Sequence, residues 1–293
     1  MQPSYKGLFY ILISTTCFSI VNLMVKFLEG YPAHELIFFR SVFSLFATGF
    51  ILRSQKLSLL GTNRPWLLVR GVAGVSALLL FFITLQQMPF ANAVAIQYLS
   101  PAFTALFGVF LLRERVSTWQ WFFLLVALSG VFVIKGFDPR VNTWMVGLGI
   151  LSAACSGLAY NAVRRLRHTE HPLQVVFYFP LIATPIMGIW CLFDWKTPLD
   201  WDWLLILVLG VFTQIAQYYM TLGLHADTAA RVTPVKYVGA ILAIGFGYVF
   251  FNETLNTMNL VGLGLIVAGV LLNTLYKNPA ALAEPKPAQV TEK

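Results

Sequence analysis

Residues 88–134 read MPFANAVAIQYLSPAFTALFGVFLLRERVSTWQWFFLLVALSGVFVI, and residues 228–272 read TAARVTPVKYVGAILAIGFGYVFFNETLNTMNLVGLGLIVAGVLL. Laid over one another at a shift of 139, they coincide at several positions. Tyr98 falls on Tyr237, Gly108 on Gly247, Glu114 on Glu253 and Gly130-Val131 on Gly269-Val270. The same shift carries outward, placing Asn22-x-x-x-Lys26 on Asn161-x-x-x-Arg165 and ELIFFR (35–40) on QVVFYF (174–179). FFITL (81–85) meets YYMTL (218–222) at a shift of 137, so the second copy gains two residues in the next loop. A nearly constant offset across eight of ten apolar runs marks an internal duplication.

The length of those runs decides the fold class. A spanning helix needs about 20 mostly apolar residues, and the chain offers ten such segments. They are 7–28, 35–52, 66–87, 91–112, 118–135, 144–163, 173–193, 201–222, 232–251 and 260–275. Each copy contains five spans, an odd number, so the second copy must lie upside down relative to the first. Inverted repeats are the architecture of secondary transporters, whose halves exchange conformations around a central site. The expected fold is an all-α integral membrane protein of ten transmembrane helices arranged as two inverted five-helix repeats, 1–136 and 140–277. The remainder, 278–293, is rich in Pro, Ala, Lys and Glu and reads as a disordered cytoplasmic tail.

Composition excludes most alternatives. Charged residues are 11% of the chain, hydrophobic residues 58%, and mean hydropathy is +0.74. A soluble domain carries about 25% charged residues to solvate its surface. The net charge of +8 sits in short gaps between apolar runs, so it does not form the basic face of a nucleic-acid binder. It encodes topology instead. With the N-terminus inside, the inner segments hold 13 Lys and Arg and the outer loops 3 (Lys135, Arg140, Lys196), which puts both termini in the cytoplasm. The expected location is the cell inner (cytoplasmic) membrane, multi-pass. The run 7–25 exceeds the length of a signal-peptide core and reads as the first span. Cys17, Cys155 and Cys191 lie within apolar stretches without CxxC spacing and read as small core residues.

The stretches 88–134 and 228–272 resemble the signature region of the ten-helix drug/metabolite transporter superfamily, EamA type, and the resemblance extends over roughly 7–275. It implies a basket in which helices 1, 3, 4, 6, 8 and 9 line a central cavity while helices 5 and 10 act as scaffold. It also implies export of amino acids and other metabolites; similar members carry S-adenosylmethionine, riboflavin or opine-type metallophores. Two features depart from the family pattern: Arg113-Glu114 and Asn252-Glu253 replace the common Gly-Glu, and Lys236 stands where an apolar residue is common.

Ionisable and polar residues inside spans are costly and therefore candidate solute contacts. Lys236-Tyr237 and Gln97-Tyr98 occupy equivalent positions near Pro234 and Pro101, which loosen helices and free backbone carbonyls. Lys26 and Arg40 lie near the outer ends of their spans, where they either reach the solute or snorkel to the headgroups; in the resembling family a basic residue is frequent at both places. Gln217 and Tyr218 share a helix face with Gln214; Asn22, Asn161 and Tyr160 complete the substrate-binding set. Glu35 is read as a helix cap or ion-pair partner, and Glu114 and Glu253 as caps for the helices that follow them. Gly239, Ala243 and Gly247, spaced by four, are read as a close-packing face. Lys26, Arg40, Arg70, Arg165 and Lys236 lie in or at the ends of spans, against Glu35 alone among acids. The solute is accordingly expected to carry a carboxylate or other anionic group, with Tyr98, Tyr160 or Tyr237 receiving any cationic part.

No catalytic, Walker or metal-ligand motif is present, so no enzyme activity, cofactor or metal is expected. The reading is a secondary transporter exporting a small polar, amino-acid-like metabolite by alternating access. The alternatives are an uptake carrier for S-adenosylmethionine, riboflavin or a similar metabolite and, from another class, a membrane-embedded enzyme acting on lipids. The expected partners are the small-molecule solute and the lipid bilayer, with a homodimer left open.

Overall fold

The computed structural model describes residues 6–112, 117–138, 140–226, 235–253 and 256–276. Among them the chain is helical: α1 (Lys6–Phe27), α2 (Ala33–Ser54), α3 (Arg64–Gln87), α4 (Phe90–Gln97), α5 (Ser100–Leu112), α6 (Thr118–Phe137), α7 (Thr143–Leu166), α8 (Pro172–Cys191), α9 (Asp202–Ala226), α10 (Val238–Phe251) and α11 (Thr257–Leu275). Among the described residues eight segments are long and apolar enough to cross a bilayer, with α4 and α5 together, Phe90–Leu111, forming one of them. Two shorter apolar helices follow, α10 and α11. At 14 residues α10 extends about 21 Å, short of a hydrocarbon core of about 30 Å. The expected start of this span at 232, with Pro234, lies outside the described residues, as do Glu114, Arg231 and the tail 278–293.

The exterior suits lipid. Phe46 and Phe50 are 73% and 76% exposed, and Phe132, Ile189, Leu207 and Ile241 also face outward. The interior holds an extended apolar core that draws residues from α1 through α11, from Val21 to Val270.

Helix pairs pack with opposed directions. On α1 against α9, Gly7 and Ile11 meet Gly223, Tyr10 meets Tyr219, and Ser14 Oγ donates to the Ala216 carbonyl at 2.8 Å. On α2 against α8, His34 stacks on Trp190, Phe38 meets Gly188, and Gly49 meets Phe177. On α6 against α11 the helices touch backbone to backbone. A Cβ on Gly130 would lie 2.4 Å from the Gly262 carbonyl oxygen, and one on Gly269 would lie 2.6 Å from the Ala127 nitrogen. Such small-residue contacts let membrane helices approach closely.

Contacts recur between the two copies at shifts of 137 to 139 residues. Ser152 Oγ donates to the Ala77 carbonyl at 2.7 Å, joining α7 to α3 as Ser14 joins α1 to α9. At one end of the bundle, Glu35 in the first turn of α2 accepts from the Lys196 backbone N–H at 2.9 Å, and Tyr31 accepts from Leu199 N–H. At the other end, Gln174 in the first turn of α8 donates to the Ser58 carbonyl at 2.8 Å, and Glu170 accepts from Thr62 N–H. Each pair ties the loop before a helix, or its first turn, to a long connection elsewhere in the chain.

The fourth span differs from the single helix expected at 91–112. It breaks at Tyr98 and Leu99. Hydrogen bonds there tighten, with Tyr98 N–H reaching the Ala95 carbonyl and Leu99 N–H the Ile96 carbonyl. Pro101 has no N–H to offer the next turn, so the ladder reforms only with Phe103 N–H on the Leu99 carbonyl. The mate of this break is a turn at Tyr237, where Ala240 N–H again reaches back three residues.

The carboxylate of Glu253 also differs from expectation. It accepts from Phe90 N–H at 2.7 Å and Ala91 N–H at 3.4 Å, so it caps α4 instead of the helix that follows it. Pro89 at the head of α4 offers no capping side chain, which leaves those amides for Glu253.

Candidate functional site

A cavity of about 190 Å³ opens at the two helix breaks. Its wall is built from α1, α2, α3, α4, α5, α7, α8, α9 and α10; among the described residues α6 and α11 contribute nothing to it. The second and seventh spans are not among those that the resemblance names as lining, yet Arg40 of α2 and Phe179 of α8 both reach in.

Of the expected site residues, Lys236, Gln97, Tyr98, Gln217, Asn22, Arg40 and Tyr160 meet at this cavity. The Lys236 ammonium lies 4.3 Å from the centre of the Tyr160 ring. Tyr98 OH donates to the Lys236 carbonyl at 3.1 Å, and its ring stands 5.1 Å from that of Tyr237. The Gln97 amide spans two serines of α7, donating to Ser156 Oγ at 2.8 Å and accepting from Ser152 Oγ at 3.1 Å.

Four expected residues lie off the cavity wall. The Lys26 ammonium donates to the carbonyls of Gln86 and Met88 at 3.2 and 3.4 Å and pairs with Glu29 at 2.9 Å, so it caps the C-terminus of α3. Asn161 donates to the Thr104 and Gly157 carbonyls and holds α7 against α5. Tyr218 packs against the Leu52, Leu173 and Phe177 cluster. The Tyr237 ring tilts against that of Tyr98. The shared face of Gln214 and Gln217 also divides: Gln214 donates to Thr48 and accepts from Ser44, binding α9 to α2, while Gln217 faces the cavity.

Arg40 departs from the snorkelling expectation. It lies seven residues into α2, about 10 Å along the helix, and is 1% exposed. Arg70 of α3 is 3% exposed. Their guanidinium carbons stand 5.2 and 5.8 Å from the same Phe179 ring, and Arg40 also stands 5.7 Å from Phe82. Arg70 donates to Gln217 Oε1 at 3.2 Å. Nε and Nη1 of Arg40 and Nε of Arg70 are buried without a hydrogen-bond partner. A cation–π contact returns about 0.5–2 kcal/mol and a hydrogen bond to a charged group about 1.5–3 kcal/mol. Burying each cation costs several kcal/mol. The protein contacts offset only part of that cost, and among the described residues no acidic one lines the wall. Arg70 and Phe179 are thus functional candidates that the sequence-based set omits. The signal for Arg70 was its charge within an apolar span, and that for Phe179 its place on Arg40 at the 139-residue shift.

Off the cavity wall, Asp138 in the loop after α6 joins α4 and α11. It accepts from Asn92 of α4 at 3.0 Å, from Asn259 of α11 at 2.8 Å, and from the Arg140 guanidinium on both carboxylate oxygens. The Arg140 hydrogen bond, helped by Asn259, holds this carboxyl down at about 2.

The sequence has relatives over most of its length. The chain is 30% identical over 272 residues to the pseudopaline exporter CntI of Pseudomonas aeruginosa, covering 91% of this chain and 95% of that one. It is 28% identical over 265 residues to human solute carrier family 35 member G1, covering 84% and 73%. A riboflavin transporter of Rhizobium johnstonii is 25% identical over 278 residues, 92% of each chain. A solved crystal structure superposes with a TM-score of 0.68 over 92% of this chain and 96% of that one at 20% identity, a likeness of fold. These relatives are named as transporters and not as enzymes. The family model of EamA-like transporters matches residues 5–136 and 143–275. This multi-pass membrane protein therefore belongs to the EamA-like transporter family, within the drug/metabolite transporter superfamily.

Proposed function

We propose that the chain is a secondary transporter that exports a small, polar, amino-acid-like metabolite bearing an anionic group. Two inverted five-helix repeats, 1–136 and 140–277, alternate access to the shared cavity. One observation carries this reading: the cavity gathers Arg40, Arg70 and Lys236, and among the described residues no carboxylate lines it. Paired contacts between the copies support the two-repeat architecture, since Ser14 on Ala216 and Ser152 on Ala77 exchange roles at shifts of 138 and 139 residues. The likeness to an exporter over nearly its full length supports the outward direction. The inner membrane, with both termini cytoplasmic, follows from the basic residues of alternate loops.

Proteoliposomes containing only this protein test the transporter reading. Anionic amino-acid-like solutes should exchange across the bilayer without ATP; a requirement for ATP or a second protein would sink it. Direction is tested in a deletion strain, whose cells should retain the solute while the medium is depleted of it. Depletion inside the cell would favour uptake.

A further inference from the structure

We infer that Arg40 and Arg70 over Phe179 form a carboxylate seat for a solute carrying at least two carboxylates, with Lys236 on Tyr160 meeting a further anionic group. This deepens the proposed function and rests on its reading of the cavity as the solute site.

The argument is one of charge and geometry. Both guanidiniums lie within 6 Å of one ring, so their carbons are at most about 11 Å apart. Both are almost wholly buried and line the cavity. Three of their buried nitrogens have no hydrogen-bond partner, and a guanidinium with free N–H groups is suited to hold a carboxylate through two parallel hydrogen bonds. A simple zwitterion brings its own ammonium into the cavity, which cancels its one carboxylate and leaves three protein cations uncompensated. Two carboxylates balance the arginine pair, and a further anionic group balances Lys236. Phe179 packs against both cations and supplies no acceptor in the guanidinium planes.

The seat is also spaced for its side chains. A Cβ on Gly74 would lie 2.3 Å from Arg70 Nη1 and 3.1 Å from the Phe179 ring. The guanidinium occupies the room left by the absent methyl, one turn along α3. Gly74→Ala therefore displaces Arg70 without removing its charge.

The test is thermal unfolding of the purified full-length protein in detergent with tricarballylate, glutarate, acetate or tetramethylammonium at matched ionic strength. The midpoint should rise most with tricarballylate, less with glutarate, little with acetate and not at all with tetramethylammonium. Arg40→Gln and Arg70→Gln should each weaken tricarballylate binding tenfold or more. If either variant fails to fold, Gly74→Ala and Lys236→Gln carry the test, each with a weakening of at least threefold. Equal shifts from acetate and tricarballylate, no shift from any carboxylate, or wild-type binding in the variants overturns the inference. The assay needs no transport. Arginine-dependent binding without flux in proteoliposomes removes the transporter reading and leaves the seat. Flux of neutral solutes without carboxylate binding does the reverse.

Discussion

The Tyr98 hydroxyl donates to the Lys236 carbonyl at 3.1 Å, tying the break between α4 and α5 to the turn ahead of α10. The two breaks are mates at the 139-residue shift, and the Tyr98 and Tyr237 rings tilt against each other beside the bond. Tyr98→Phe should keep the ring contact and lose a bond worth about 0.5–1.5 kcal/mol. Transport should fall by about threefold to tenfold with expression unchanged. Gly239→Ala should be worse, because a Cβ there would lie 2.4 Å from the Tyr98 hydroxyl oxygen. Equal activity of Gly239→Ala and wild type in a flux assay would show that this junction is not under constraint.

Lys236→Met retains the stem and removes the charge over Tyr160. The fold should survive and transport should drop tenfold or more, a loss of about 1.4 kcal/mol. Gln97→Leu should act differently, because Gln97 is bonded at both ends to α7. It should lower stability by about 1–3 kcal/mol by leaving Ser156 without its amide partner. Normal flux in Lys236→Met at normal expression would move the solute away from this lysine.

Asp138→Asn tests the junction outside the cavity. The folded carboxyl sits near 2, below its ordinary 3.8, so its stabilising effect is complete above about pH 4. It fades as pH falls through about 2. The variant should unfold more easily at pH 7, by about 1–3 kcal/mol, and the gap from wild type should narrow from pH 4 to 2. A gap that persists unchanged at pH 2 would show that the charge is not what holds these helices.

Topology has its own check. In a cysteine-free background lacking Cys17, Cys155 and Cys191, Asp200→Cys should react with an impermeant reagent on intact cells. Reaction only after permeabilisation would invert the proposed orientation.

Hydropathy and the constant shift made the spans legible, because lipid demands long apolar runs whatever the tertiary contacts are. Pro101 pointed to the break at Tyr98 for a local reason, its missing N–H. The residues misplaced by sequence reasoning fail for a nonlocal one. Lys26 and Arg40 look alike along the chain, each a lone cation near a span end. What separates them is packing: the α3 C-terminal carbonyls come within reach of Lys26, while Phe179 rises beside Arg40. Glu253 likewise carries no local sign that its partner amides lie at Phe90 and Ala91.

The Arg40–Arg70–Phe179 arrangement also bears on how the protein is made. Both arginines leave the ribosome and enter the bilayer before Phe179 and Gln217 have been synthesised, more than 100 residues later. Each guanidinium must cross that interval with few of its final contacts, at a standing insertion cost of about 2.5–3.5 kcal/mol. The first half of the chain is thus a poor candidate for an independently stable unit. Its two buried charges wait, during synthesis, for a wall that only the second half supplies.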